Sequence, residues 1–131
     1  MRGNKGFTLI ELLAVLVILA IIALITTPII LGVINDSRES AAEDKTWAYV
    51  DAVENAFALD QANADPVTLP LTDQSITGTV GQEEIRVSGD VAEGGTYSIN
   101  EDGLVTVNNL VFDGFTCSTN EDATEVTCTQ N

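Results

Sequence analysis

Apolar residues crowd the start of this chain and then thin out abruptly. Gly6 to Ile25 reads GFTLIELLAVLVILAIIALI, with a single carboxylate, Glu11, near its beginning. From Leu12 to Asn35 no residue is charged. A helix over Phe7 to Ile25 is about 28 Å long, close to the hydrocarbon thickness of a bilayer. Past Asn35-Asp36-Ser37 the pattern becomes one-sided. Ala41, Ala42, Lys45, Ala48, Tyr49, Ala52, Val53, Ala56 and Phe57 recur every three to four residues. This spacing predicts an amphipathic continuation of the helix, with that stripe buried. Asp36, Glu39, Glu43, Asp44, Asp51, Glu54 and Asp60 are expected on the solvated remainder. Trp47 falls off the centre of the stripe and is expected to pack at its edge.

The prediction is one helix from Phe7 to about Asn63, ending before Pro66. Thr26-Thr27-Pro28 and Gly32 interrupt it. Pro28 lacks a backbone donor and predicts a bend there. If straight, such a helix extends about 85 Å, far beyond what the attached head can cover. Its apolar half must therefore meet lipid or other copies of itself.

After Pro66 the period shortens to two. Ser75–Val80, Glu84–Val87, Thr96–Ile99, Leu104–Val107, Leu110–Phe112 and Phe115–Ser118 read as short strands, with a last one at Glu125–Thr129. Glycines punctuate them, and Asn100-Glu101-Asp102-Gly103 predicts a hairpin turn. The expected fold class is α+β: a long N-terminal helix packed against a small antiparallel β-sheet head. The chain divides into a leader at 1–6, a membrane-spanning and polymerising half-helix at 7–35, an amphipathic half-helix at 36–65 and a β-rich head at 66–131.

Charge sharpens this division. The formal net charge is −15, from 20 acidic and 5 basic residues, with no His. Arg2 and Lys5 precede the apolar run, which orients the N-terminus to the cytoplasm and the head outside. Without them, Arg38, Lys45 and Arg86 face 20 carboxylates, and the side-chain sum becomes −17. Such a surface repels phosphate backbones, so no direct nucleic-acid binding is expected.

The residues speak against catalysis. A triad base is missing because there is no His, and GxSxG, HExxH and a phosphate-cradling loop are absent. No cofactor is expected. Asn120, Glu121, Asp122 and Glu125 offer oxygens for calcium, but no D-x-D-x-D-G loop contains them, and solvated acidity is the preferred reading. Cys117 and Cys128 lack CxxC spacing. In an extracytosolic head they predict one disulfide around ten intervening residues, with two reduced thiols as the alternative.

Glu11 is the residue a generic anchor does not explain. A carboxylate inside a membrane helix costs about 2.5–3.5 kcal/mol on insertion scales, less near an end, and calls for a partner. Cleavage between Gly6 and Phe7 would create one, an α-amine one helical turn away. In an array of such helices, the amine of one copy would meet the carboxylate of the next.

Lys5-Gly6-Phe7-Thr8-Leu9-Ile10-Glu11 and the apolar residues behind it resemble the class III signal of type IV prepilins and pseudopilins. The resemblance covers about the first thirty residues. It implies cleavage between Gly6 and Phe7 by a prepilin peptidase, N-methylation of Phe7, and assembly roles for Glu11 and Pro28. It also implies a polymer of identical copies, an inner-membrane platform and an assembly ATPase as partners. The precursor would be a single-pass protein of the inner membrane, and the product a helical filament. The expected product is a type IV pilus at the cell surface, serving adhesion, twitching motility or DNA uptake. A pseudopilin of a type II secretion or competence apparatus is the alternative within the family. A bitopic membrane-anchored binding protein is the alternative outside it. The Cys117–Cys128 segment resembles the disulfide-bounded C-terminal region of many type IV pilins.

Overall fold

One helix, α1, runs from Leu9 to Gln61. The computed structural model describes Gly3 and residues 5–131; Met1, Arg2 and Asn4 of the expected leader lie outside the described residues. The chain falls into two compact units, Met1–Ser37 and Arg38–Asn131.

In the first unit α1 begins two residues later than its apolar pattern suggests, because Thr8 caps it. Along this half the large apolar side chains are exposed, from Leu9 at 85% to Ile34 at 44%. The helix is long and apolar enough to cross a membrane. It stays helical through Pro28. Just before the proline, the Thr26 hydroxyl donates to the Ile22 carbonyl at 2.9 Å and the Thr27 hydroxyl to the Ala23 carbonyl at 2.6 Å. Pro28 leaves the Leu24 carbonyl without its usual donor, and these two hydroxyls bond the carbonyls just before it.

In the second unit the rest of α1 buries Ala42, Thr46, Tyr49, Val50, Ala52, Val53, Ala56 and Asp60. The stripe differs from the expected one in four places. Ala41 is exposed, while Val50 is buried and Thr46 and Asp60 are wholly inside. Thr46 is tolerated because its hydroxyl donates to the Ala42 carbonyl at 2.8 Å. Asp60, expected on the solvated face, lies on the buried one for the reason given below.

Eight strands follow: β1 Leu71–Ser75, β2 Thr79–Val80, β3 Glu83–Glu84, β4 Thr96–Ile99, β5 Val105–Asn108, β6 Leu110–Phe112, β7 Phe115–Thr119 and β8 Val126–Gln130. They form three antiparallel sheets, ordered β1-β4-β5, β2-β3 and β6-β7-β8. Two expectations need correction. The strand expected over Ser75–Val80 is split by a turn, in which the Gly78 amide donates to the Ser75 carbonyl at 3.1 Å and Ile76 drops into the core. The strand expected over Glu84–Val87 ends at Glu84, and Ile85 to Val87 run on outside any ladder. The hairpin turn stands as expected between β4 and β5. Asn100 Oδ1 accepts from the Asp102 and Leu104 amides at 3.0 and 2.8 Å.

The main core joins Tyr49, Val50 and Val53 of α1 to Ile76, Val80, Tyr97, Ile99, Val105, Val107 and Leu110. Each fully buried aliphatic or aromatic side chain contributes about 1.5–3 kcal/mol. A smaller cluster gathers Ala42, Phe115, Cys117, Val126 and Cys128. Trp47 is half-buried and packs against both clusters, so it joins the two parts of the core. Thr119 does the same for the sheets. Its hydroxyl accepts the Val107 amide at 3.0 Å, linking β7 to β5 where the two sheets adjoin.

Candidate functional site

The N-terminal segment is built around Thr8. Its hydroxyl accepts the Glu11 amide at 3.2 Å, and Glu11 Oε2 accepts the Thr8 amide at 2.9 Å. This is a reciprocal capping box, which satisfies two backbone donors at a helix start and places a carboxylate at the positive end of the helix dipole. Gly6 and Phe7 lie immediately before it, outside the helix, and the Phe7 side chain is 90% exposed. The Gly6–Phe7 peptide thus sits on open chain next to a fixed helix start, which is the form a peptidase can grip.

Reading the residues alone misses the capping role of Thr8, although Thr-Leu-Ile-Glu carries the S/T-x-x-E signature of a capping box. The expectation for Glu11 is a partner on another copy. In the single chain its carboxylate serves its own helix.

The head is held by three devices. The first is Asp60, fully buried near the end of α1. Its Oδ2 accepts the Val67 amide at 2.8 Å and its Oδ1 the Gln82 amide at 3.1 Å. These bonds replace the water a buried carboxylate has lost, and they hold its pKa below the ordinary aspartate value. They also tie the helix end to the following loop and to the β2–β3 turn. The Tyr97 hydroxyl, donating to the Thr79 carbonyl at 2.7 Å, is pushed up by burial and by the nearby Asp60 charge.

The second is Lys45. Its ammonium donates to Asp90 at 2.8 Å and Asp113 at 3.2 Å, and lies 5.8 Å from the centre of the Phe112 ring. Hydrogen bonds to Asp90 and Asp113 raise its pKa, and the contact with Lys45 lowers that of Asp90. Next to it, the Ala92 amide donates to the Tyr49 hydroxyl at 2.7 Å. The long connection before β4 is therefore pinned to α1 at Asp90 and at Ala92.

The third is the disulfide between Cys117 and Cys128, which face each other across β7 and β8. The loop it brackets is organised by Asn120. Its Oδ1 accepts the Thr124 and Glu125 amides at 2.8 and 3.1 Å, and its Nδ2 donates to the Thr124 hydroxyl at 2.9 Å. That residue's oxygen, weighed above as a calcium ligand, is spent on the loop's own backbone. Among the described residues no three His, Cys, Asp or Glu side chains converge on a common point.

Comparison with known proteins agrees with the N-terminal chemistry. The prokaryotic N-terminal methylation motif matches residues 1–27. Type II secretion system core protein G of Vibrio cholerae is 39% identical over 80 residues, which is 61% of this chain and 51% of that protein. The protein of the same description from Aeromonas hydrophila is 35% identical over 81 residues, 62% of this chain and 52% of its own length. That from Klebsiella pneumoniae is 32% identical over 80 residues, 61% and 53% respectively. The chain spans about half the length of the curated relatives it matches. No solved structure matches it with significance. The methylation motif, the exposed apolar half-helix that follows it and the sequence shared with these secretion proteins all point to a likeness with type IV pilins and pseudopilins.

Proposed function

We infer that this chain is a pseudopilin, a structural subunit of a type II secretion filament, inserted as a membrane-anchored precursor and assembled after processing. The observation that carries the reading is the exposed apolar half of α1 directly behind a capped, open Gly6–Phe7 junction. An uncovered apolar half-helix is stable in lipid or in a bundle of its own kind, and in little else. The relatives favour secretion over a surface pilus, since each is described as a secretion-system core protein.

In this reading Arg2 and Lys5 hold the leader in the cytoplasm, and a prepilin peptidase cuts after Gly6 and methylates the Phe7 amine. The half-helices then leave the bilayer and bundle. Glu11 exchanges the Thr8 amide of its own helix for the Phe7 amine of a neighbour, which sets axial register. The exchange is local, because Thr8 and Phe7 are adjacent. Pro28 and the Thr26–Thr27 turn give the half-helix a place to adjust during transfer. The inner-membrane platform and the assembly ATPase supply the work, and the filament stands in the periplasm. The protein's role is structural, with no reaction of its own.

The test is complementation. In a producing strain whose own copy is deleted, secretion of the exported enzymes should cease and should return with the wild-type gene. Normal secretion in the deletion, together with loss of surface pili, twitching or DNA uptake, would assign the chain to a pilus or competence apparatus instead.

A further inference from the structure

Past Ile34, only two large hydrophobic residues are mostly exposed among the described residues: Leu59, at 59%, and Val91, at 67%. Neither is incidental in its setting. Val91 stands between Asp90, held by Lys45, and Ala92, whose amide is held by Tyr49. It is thus an apolar side chain fixed outward on pinned backbone. Beside it lies an open groove of about 520 Å³, lined by Ile76, Ile85, Val87, Val91 and Arg86 among others. Ile85 to Val87 lie outside any strand here. Leu59 is not part of that lining. It sits on the exposed side of α1, with Asp51, Glu54, Asn55 and Ala58.

We propose that the Val91 groove is the docking site for the Leu59 face of a second copy of this chain. The inference rests on the assembly reading above and adds to it a contact between heads. Charge complementarity selects the occupant. After the leader the chain has three basic residues against 20 acidic ones, and Lys45 is already committed within its own head. Arg86, at the groove, is 85% exposed, with one 3.4 Å contact to a similarly open Glu84. The Leu59 face carries Asp51 and Glu54 beside Ala58. Copies with a side-chain sum of −17 repel one another unless a cation meets a carboxylate where they touch. An apolar knob and an apolar groove at separate places on one molecule form a heterologous contact, which propagates into a filament rather than closing a dimer.

The test uses the full chain in the producing strain with Leu59→Cys and Val91→Cys, singly and together, followed by mild oxidation. The double variant should give a ladder of covalent multimers, and each single variant only monomer. Arg86→Glu in the double variant should reduce the ladder several-fold, and added Glu54→Arg should restore it. Filaments without a ladder in the double variant would overturn the head contact while leaving the assembly reading intact. Dimers from either single variant would show that face meeting itself and would overturn the contact as well. Absence of filaments and ladder in a strain that makes processed protein would overturn both readings.

Discussion

The carboxylate of Asp60 fills the space that a Cβ on Gly81 would need. A Cβ built at Gly81 collides with Asp60 Oδ1 and comes within 2.7 Å of Val67 Cγ1, and the glycine itself has φ +58°. The buried acid, the loop and the β2–β3 turn are therefore fitted around one missing side chain.

Gly81→Ala should destabilise the head by about 2–4 kcal/mol, combining the left-handed backbone cost with displacement of Asp60 from its amide donors. Gly94→Ala is the control. A Cβ there meets nothing within 4 Å, and the change should stay within about 0.5 kcal/mol. Urea unfolding of both variants decides the matter, and equal midpoints would contradict the account.

Asp60 also predicts a pH dependence. Its folded pKa is held below the ordinary 3.8, first by the Val67 amide and then by that of Gln82. A group depressed on folding contributes stability that is full above its unfolded pKa and is lost as pH falls through the folded one. Asp60→Asn leaves one backbone amide facing an NH₂ group. The stability gap between wild type and this variant should hold steady from neutral pH to about pH 5 and narrow below about pH 4. A gap unchanged down to about pH 2.5 would contradict it.

Position 60 also shows how far the residues alone can be read. It continues the stripe of Val53 and Ala56 by helical spacing, so its place on the buried face is legible. Its charge argues the other way, and the amides of Val67 and Gln82 that reverse the argument are set by tertiary structure. The apolar half of α1 and strands β4 and β6 are readable because their periodicity is unbroken. The break at Ile76–Gly78 is not, since a buried isoleucine inside a turn looks the same in sequence as one inside a strand. The Thr8–Glu11 box is written in the sequence, but the carboxylate of Glu11 draws attention to membrane chemistry instead.

Cys117→Ser with Cys128→Ser should cost about 2–3 kcal/mol, because the bridge closes a short loop in the unfolded chain. Protection from hydrogen exchange should fall first in β7 and β8, whose buried residues share the smaller cluster with the cystine. Uniform loss across the head would count against a local role for the bridge.

Glu11→Val separates processing from assembly. Cleavage after Gly6 should persist, because that peptide lies outside the helix, while methylation of Phe7 or filament formation should fall sharply. Normal methylated filaments from the Glu11→Val chain would remove the proposed pairing with a neighbour's amine.

The central claim is that this chain is a precursor matured at one defined bond, and intact mass of the protein from its own membrane tests it most directly. The account predicts an N-terminus at Phe7 that carries one added methyl group, with residues 1–6 removed. A mass that retains Met1 to Gly6, or places the cut at any other bond, would contradict it.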